Sequence, residues 1–273
     1  MKIAAILLNR NLPNITNKLY HSIKKNNKNL IDVFIVDAGS DNKKISKYTT
    51  WKANSKSIKK MGLRYGRGMN FGLVQLWKEN KFEKYDAFLL LTNDTEFQNP
   101  AIANKMIRIL KKHKKVGILS PCSKSWGERQ LLKKEKTKYF WFIHNNCYLL
   151  RKDFVKQIAN FKKPSYKNFI FDGSNFRGYG IESELIAKAY MNDWSAAITS
   201  EVWADENESY LKNFSKDIKT ENFSKNLKLY FNEGLQWMKY KYGFNNKWQM
   251  QFYVKLYYDH FFNFNPELLK YKI

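Results

Sequence analysis

The sequence predicts an α/β protein: a mainly parallel, doubly wound sheet flanked by helices, with a helical appendage at the C-terminal end. Three observations carry that prediction. Short apolar runs without alternation recur at residues 2–8, 31–36, 85–91 and 116–120, as expected of strands buried on both faces. Between them lie stretches whose apolar residues are spaced three or four apart, the helical period. Each run also breaks into a polar loop at its carboxyl end, the place where open α/β sheets bind ligands.

The first run ends in Asn9, Arg10 and Asn11, and Pro13 then opens a helix with Ile15, Leu19 and Ile23 on one face. The run at 31–36 is β-branched and ends in Asp37-Ala38-Gly39-Ser40. Right-handed crossover makes these two strands parallel, with Arg10 and Asp37 at the same sheet edge. Asp37 can accept hydrogen bonds from a nucleobase or ribose, or simply hold an Asp-Gly-Ser turn, where Gly39 supplies the tight bend. Residues 62–72, GLRYGRGMNFG, carry four glycines and read as a glycine-rich loop feeding a helix with Met69, Leu73, Leu76 and Trp77 on one face. Arg64 and Arg67 there suit phosphate, and a helix start suits an anion. The run at 85–91 turns abruptly polar at Thr92-Asn93-Asp94-Thr95-Glu96. Asp94 and Glu96 lie two residues apart in an extended segment and so point to one side, where hard oxygen donors can hold a divalent cation that carries phosphate. A helix N-cap leading to Pro100 accounts for the same residues.

The rhythm changes after Pro121. Residues 123–138 are charged and loop-like, and 140–143 and 147–150 are short strands. A glycine-bearing loop at 173–180 then opens a helix at Ile181-Glu182-Ser183-Glu184-Leu185. Carboxylates in a first helical turn complement the dipole, and one aimed back at the strand ends can act as a general base. Beyond residue 223, Leu227, Tyr230, Phe231, Leu235 and Trp237 mark one helix, and Trp248, Phe252, Leu256 and Phe261 another, with lysine throughout. Either these helices pack on the domain, or their basic-aromatic surface rests on an anionic membrane.

At 273 residues and 44% hydrophobic the chain can bury a substantial core. Its formal net charge is +25; only seven of the 49 basic residues are arginine, a skew that A/T-rich coding produces. A field this positive attracts polyanions. Cys122 and Cys147 have no metal-ligand spacing and fit a reducing compartment. Residues 1–8 are too short for a signal peptide and no run approaches a membrane span, so the expectation is a cytoplasmic protein, with peripheral attachment to the cytoplasmic face of the inner membrane as an option.

Four segments stand in one order: VDAGSDN, GLRYGRGMNFG, TNDTE and YGIESEL. Over residues 2–205 they resemble glycosyltransferase family 2 on the GT-A fold, in particular its rhamnosyltransferase-like and capsular polysaccharide members. The resemblance implies a GT-A domain over 1–210, with a nucleotide-binding half (1–120) and an acceptor and catalytic half (121–210), followed by a helical extension over 211–273. It implies inverting transfer of a sugar from a nucleotide-sugar donor to a glycan or lipid-linked acceptor, with Mn2+ or Mg2+ as cofactor. Glu182 falls on the catalytic base position. Asn9, Asp37, Gly39, Arg67, Asn70, Asn93 and Asp94 fall on the donor side. Asp94 matches the metal-contacting aspartate, with Glu96 and Asp205 as further ligands, and His144, Asn145, Arg177 and Glu184 are acceptor-side candidates. The chain departs from the pattern in three places: Thr92 stands where the first aspartate of the D-x-D motif belongs, the base position holds Glu182 rather than an aspartate, and Val202-Trp203-Ala204-Asp205 replaces a late histidine pair. The alternatives are a nucleic-acid-binding module, which the charge supports but no recognised module does, a nucleotidyltransferase, and an inactive relative.

Overall fold

The computed structural model describes residues 1–125, 127–132, 136–143 and 147–273. Strands β1 (Ile3–Asn9), β2 (Ile31–Asp37), β3 (Thr49–Lys52) and β4 (Ala87–Thr92) run parallel in the order β3-β2-β1-β4. Their connections are α1 (Pro13–Asn26), α2 (Lys56–Met61) and α3 (Arg64–Lys78). After β4 come β5 (Thr95–Phe97), α4 (Ala103–Lys112), β6 (Val116–Cys122), α5 (Glu128–Leu132), β7 (Thr137–Tyr139), β8 (Tyr148–Arg151) and α6 (Lys152–Ile158). The chain closes with α7 (Ile181–Met191), β9 (Ser195–Glu206), α8 (Ser209–Phe214), α9 (Phe223–Tyr242) and α10 (Lys247–Phe264).

The sheet continues β4-β8-β6-β9-β5, with β7 also on β9. β8 is inserted antiparallel between β4 and β6, while β6 and β9 are parallel to each other. Six strands therefore point one way, and β5, β7 and β8 oppose them. Register places Asn9 beside Asp37 and Leu8 beside Thr92, so the carboxyl ends of β1, β2 and β4 form one edge.

The predicted strands 2–8, 31–36, 85–91 and 116–120 are observed within two residues of those bounds. The glycine-rich stretch departs from expectation: it is the first half of α3, not a loop before it. A Cβ on Gly68 would sit 2.5 Å from Leu8 Cδ1, and one on Gly72 would sit 2.6 Å from Ile6 Cγ2. The glycines are notches that let α3 lie directly on β1, which outweighs their low helical propensity.

α10 is continuous with the core. Val254, Tyr258, Phe261 and Phe262 belong to the main buried cluster. The Tyr258 hydroxyl donates to the Ile273 carbonyl at 2.7 Å, and Tyr139 of β7 bridges to Lys272. α9 caps Tyr179 through Trp237 and Met238. Among the described residues, no helix is long and apolar enough to cross a membrane.

Candidate functional site

A cleft of about 210 Å³ opens at the edge formed by β1, β2 and β4. Its floor is Leu8 and Arg10 at the carboxyl end of β1, Ala38 just after β2, and Thr92, Asn93 and Asp94 at the carboxyl end of β4. Arg64 enters from the start of α3, and Tyr210, Leu211, Ile218 and Thr220 form a roof. The floor follows from the sequence, because buried parallel strands leave their polar ends together. The roof comes from residues 207–221, a stretch without helical or strand period.

The loop after β2 is held by Asp37. One carboxylate oxygen accepts from the Gly39 and Ser40 amides at 3.2 and 2.9 Å, the other from Asn9 Nδ2 at 3.1 Å. Thr16 Oγ1 donates to Asn9 Oδ1 at 2.8 Å. With both Asp37 oxygens engaged in a buried turn, the side chain shapes the cleft wall and is not a free acceptor facing it. Gly39 has φ +85°, and a Cβ there would meet the Ile58 carbonyl oxygen at 2.5 Å. Asn9 and Gly39 thus serve the same turn.

Asn70 has an equally structural task. It is fully buried in α3 and clamps the 166–171 loop, donating to the Phe171 and Tyr166 carbonyls and accepting from the Ile170 and Phe171 amides. Four backbone partners leave it nothing for a donor sugar. Arg67 also turns away: its Nε donates to the Gly173 carbonyl at 2.7 Å and its guanidinium lies 4.8 Å from the Phe176 ring centroid. The arginines that do line the cleft are Arg10 and Arg64. Arg10 folds over Gly62, its Nη2 donating to the Lys60 carbonyl at 3.0 Å. Arg64 Nη2 donates to Thr220 Oγ1 at 2.5 Å and faces Glu221 Oε2 at 3.4 Å. The Nε of each is buried without a partner. Burial, then the nearby Arg177, lowers the Arg64 pKa to about 10. Two guanidinium groups at one cleft are the side-chain type suited to an anion.

Asp94 sits in the same cleft. Its Oδ1 is buried with no partner, and burial raises its pKa. Asn93, beside it, donates to Thr16 Oγ1 at 3.1 Å. The two other expected metal ligands are engaged elsewhere. Glu96 accepts from Asn207 Nδ2 at 2.8 Å. Asp205 Oδ1 accepts from Ser123 Oγ, from the Lys124 and Ser125 amides and from Ser125 Oγ, all within 3.1 Å. Asp205 therefore ties the turn after β6 to β9. Among the described residues no three His, Cys, Asp or Glu side chains cluster as a metal cage. The donor set fits a cation held by one carboxylate and completed by ligand oxygens and water, the habit of Mg2+ at phosphate sites.

Glu182 stands in the first turn of α7, after Gly180 at φ +88°. Burial pushes its pKa up to about 7, against the pull of the Glu182 and Gly180 amides. Tyr65, Tyr179 and Tyr230 surround it: each hydroxyl is held protonated first by burial and then by the Glu182 charge. Glu206 adds its field to Tyr65 and Tyr230. The tyrosines and Glu206 thus link Glu182 to the end of β9, whose next residue, Asn207, donates its amide to the Asp94 carbonyl at 2.9 Å. Glu182 is not among the residues lining the cleft itself. Reading the sequence for a late acidic residue picks Asp205 and misses Glu206. Neighbouring strand residues face opposite ways, and only the pairing Thr95 with Glu206 and Glu96 with Asp205 fixes which is which.

The acceptor-side candidates separate. Glu184 is buried, ion-paired to Lys241 at 2.6 Å and Lys188 at 3.3 Å, and accepts from the Tyr242 hydroxyl at 2.6 Å, so it fastens α9 to α7. Arg177 is buried between Glu221, at 2.6 Å, and Glu233, and binds the roof segment to α9. His144 and Asn145 lie outside the described residues.

No protein-family model matches the sequence, and no curated protein does. The fold has solved counterparts. S. aureus TarS 1-349 in complex with UDP-GlcNAc aligns at TM-score 0.52 and 13% identity, over 88% of this chain and 73% of that one. Mannosyltransferase PcManGT from Pyrobaculum calidifontis, in complex with GDP-Man and Mn2+, aligns at TM-score 0.52 and 10% identity, over 85% and 68%. The mixed sheet with its six co-directional strands is the GT-A type of α/β fold.

Proposed function

We propose that this chain moves a sugar from a nucleotide-sugar donor to an acceptor hydroxyl with inversion at the anomeric carbon, as a relative of glycosyltransferase family 2. The observation that carries the reading is the cleft at the strand ends, which Arg10, Arg64 and Asp94 line together, each keeping one buried side-chain polar atom without a hydrogen-bond partner. Two guanidinium groups suit a diphosphate. A carboxylate beside a diphosphate is repelled unless a cation lies between them, so Asp94 is the residue that would hold Mn2+ or Mg2+. When bound, that ion would help neutralise the leaving nucleoside diphosphate. The donors in the two counterpart structures, UDP-GlcNAc and GDP-Man, support the same class of ligand.

Glu182 is the base. Its carboxylate takes the proton of the acceptor hydroxyl, whose oxygen forms a bond to the anomeric carbon from the face opposite the leaving group. The bond from that carbon to the phosphate oxygen breaks, and its electron pair departs with the diphosphate. A pKa of about 7 leaves Glu182 basic enough to take that proton and ionised enough to be ready for it. The +25 charge favours an anionic or lipid-linked glycan acceptor, which points to cell-surface glycan synthesis.

The test is a thermal-shift panel of UDP-, GDP- and dTDP-sugars with and without Mn2+. The expected result is stabilisation by one nucleotide class, larger with the metal. No shift from any of them at millimolar concentration removes the donor site and the reading with it.

A further inference from the structure

α10 carries large apolar residues on both its buried and its solvent side, the latter shared with Gln249, His260 and Asn263. Met250, Val254, Tyr258, Phe261 and Phe262 are turned inward and buried. The opposite side carries Trp248, Phe252, Leu256 and Phe264, which are 62%, 75%, 55% and 80% exposed. Trp248, Phe252 and Leu256, four residues apart, follow one ridge of the helix, and Phe264 stands about 80° further round at its C-terminal end. Single exposed hydrophobic residues are ordinary, but four large ones on one helix mark a surface that expects company. Met191, 48% exposed, extends the row sideways across a groove shared with Leu256 and Phe264.

The charges around the row say what kind of company. The one carboxylate on α10, Asp259, is neutralised twice, by Lys255 at 2.6 Å and Lys272 at 2.8 Å. The Lys247 ammonium stands 4.8 Å from the Trp248 ring centroid, Lys270 is exposed after the end of α10 beside Glu267, and Asp193, which shares the groove, is paired to Lys115. A second copy of the chain would bring another net charge of +25 against this face, which opposes association. An anionic bilayer offers both things the face requires: an apolar layer for the row and phosphates for its lysine border.

We propose that the outer face of α10 docks on an anionic lipid surface. Trp248, Phe252, Leu256 and Phe264 enter the boundary between headgroups and acyl chains, and the lysines remain at the level of the phosphates. The helix lies in the plane of the surface and does not cross it. This inference stands on α10 alone and does not rest on the sugar-transfer reading.

The test is flotation of the full chain with vesicles of phosphatidylcholine, and with vesicles in which about a third of the lipid is phosphatidylglycerol. The chain is expected to float with the anionic vesicles, and less at high salt. The double variant Trp248→Ser, Phe252→Ser is expected to lower that partition by about tenfold or more, with an unchanged thermal melt because both side chains face solvent. No flotation with anionic vesicles overturns the proposal. So does unchanged flotation of the double variant, which would mean that charge alone acts. Sedimentation velocity that shows self-association of the native chain, abolished by the double variant, also overturns it and makes a second copy the occupant.

Discussion

Glu182 gives a prediction in which activity and stability move in opposite directions. An ordinary glutamate titrates at 4.5, and burial pushes Glu182 to about 7. At pH 6 only about a tenth of the chains then carry the carboxylate, and at pH 8 about nine tenths do. A general base with that titration makes kcat/KM rise close to tenfold from pH 6 to pH 8, whereas a solvated glutamate would place the limb near pH 4.5. Stability runs the other way. Between the unfolded and folded values the native chain holds a proton that the unfolded chain has lost, so stability falls as pH rises through that window. The gap between 4.5 and about 7 caps the loss at about 3 kcal/mol. Glu182→Gln keeps the shape and removes the charge. It is expected to abolish transfer and leave sugar-nucleotide binding nearly intact. At pH 8 it should gain stability of up to about 3 kcal/mol over the native chain, and at pH 5 very little. Urea titrations at both pH values, paired with initial rates across pH 5.5–8.5, measure both effects. A flat rate profile together with equal urea midpoints for native and variant chains at pH 8 would refute the buried-base argument.

Asn70→Ala removes three buried hydrogen bonds to backbone groups, of 2.8, 3.0 and 3.1 Å, and is expected to cost about 3–5 kcal/mol in a urea titration. A loss of nucleotide affinity with no change in the urea midpoint would instead return Asn70 to the donor site. Asp94→Ala should weaken nucleotide-sugar binding in Mn2+ or Mg2+ and leave metal-free binding little changed; calorimetry that gives the native chain equal affinity with and without metal contradicts this. Arg64→Lys keeps the charge and loses the fork, with about a tenfold or greater rise in the nucleotide-sugar Kd, since charge-assisted bonds contribute about 1.5–3 kcal/mol. An unchanged Kd takes Arg64 out of the anion site.

β1, β2, β4 and β6 were legible because burial on both faces leaves apolar runs, whereas the parallel strand β3, Thr49–Lys52, has no such run and was not read. Residues 62–72 were misread because glycine density is a local signal for a loop. The deciding fact is non-local: Leu8 and Ile6 occupy the space where side chains on Gly68 and Gly72 would be. The strand-end motifs put Asp94 and Arg64 in the right neighbourhood. Sequence did not tell which of the adjacent polar residues face the cleft and which hold its walls. Asn70 and Arg67 spend polar atoms on the backbone of distant loops, Asp37 spends its oxygens on its own turn and on Asn9, and the choice between Asp205 and Glu206 depends on β9 pairing with β5. The antiparallel insertion of β8 leaves no mark in periodicity. Neither does the roof over the cleft, whose residues are recruited by charge.

That roof has a consequence for how a ligand arrives. Sites for small molecules commonly enclose about 300–1,000 Å³, and the space beneath residues 210–220 is about 210 Å³. The segment is pinned by Lys219 to Asp41, by Asp217 to Lys44, and by Glu221 to Arg64 and Arg177. On the proposed reading, a donor phosphate and Glu221 would compete for the same Arg64 guanidinium. Affinity there would then report a trade between two anions, one carried by the protein and one brought from solution, with the acidity of residues 217–221 setting the threshold.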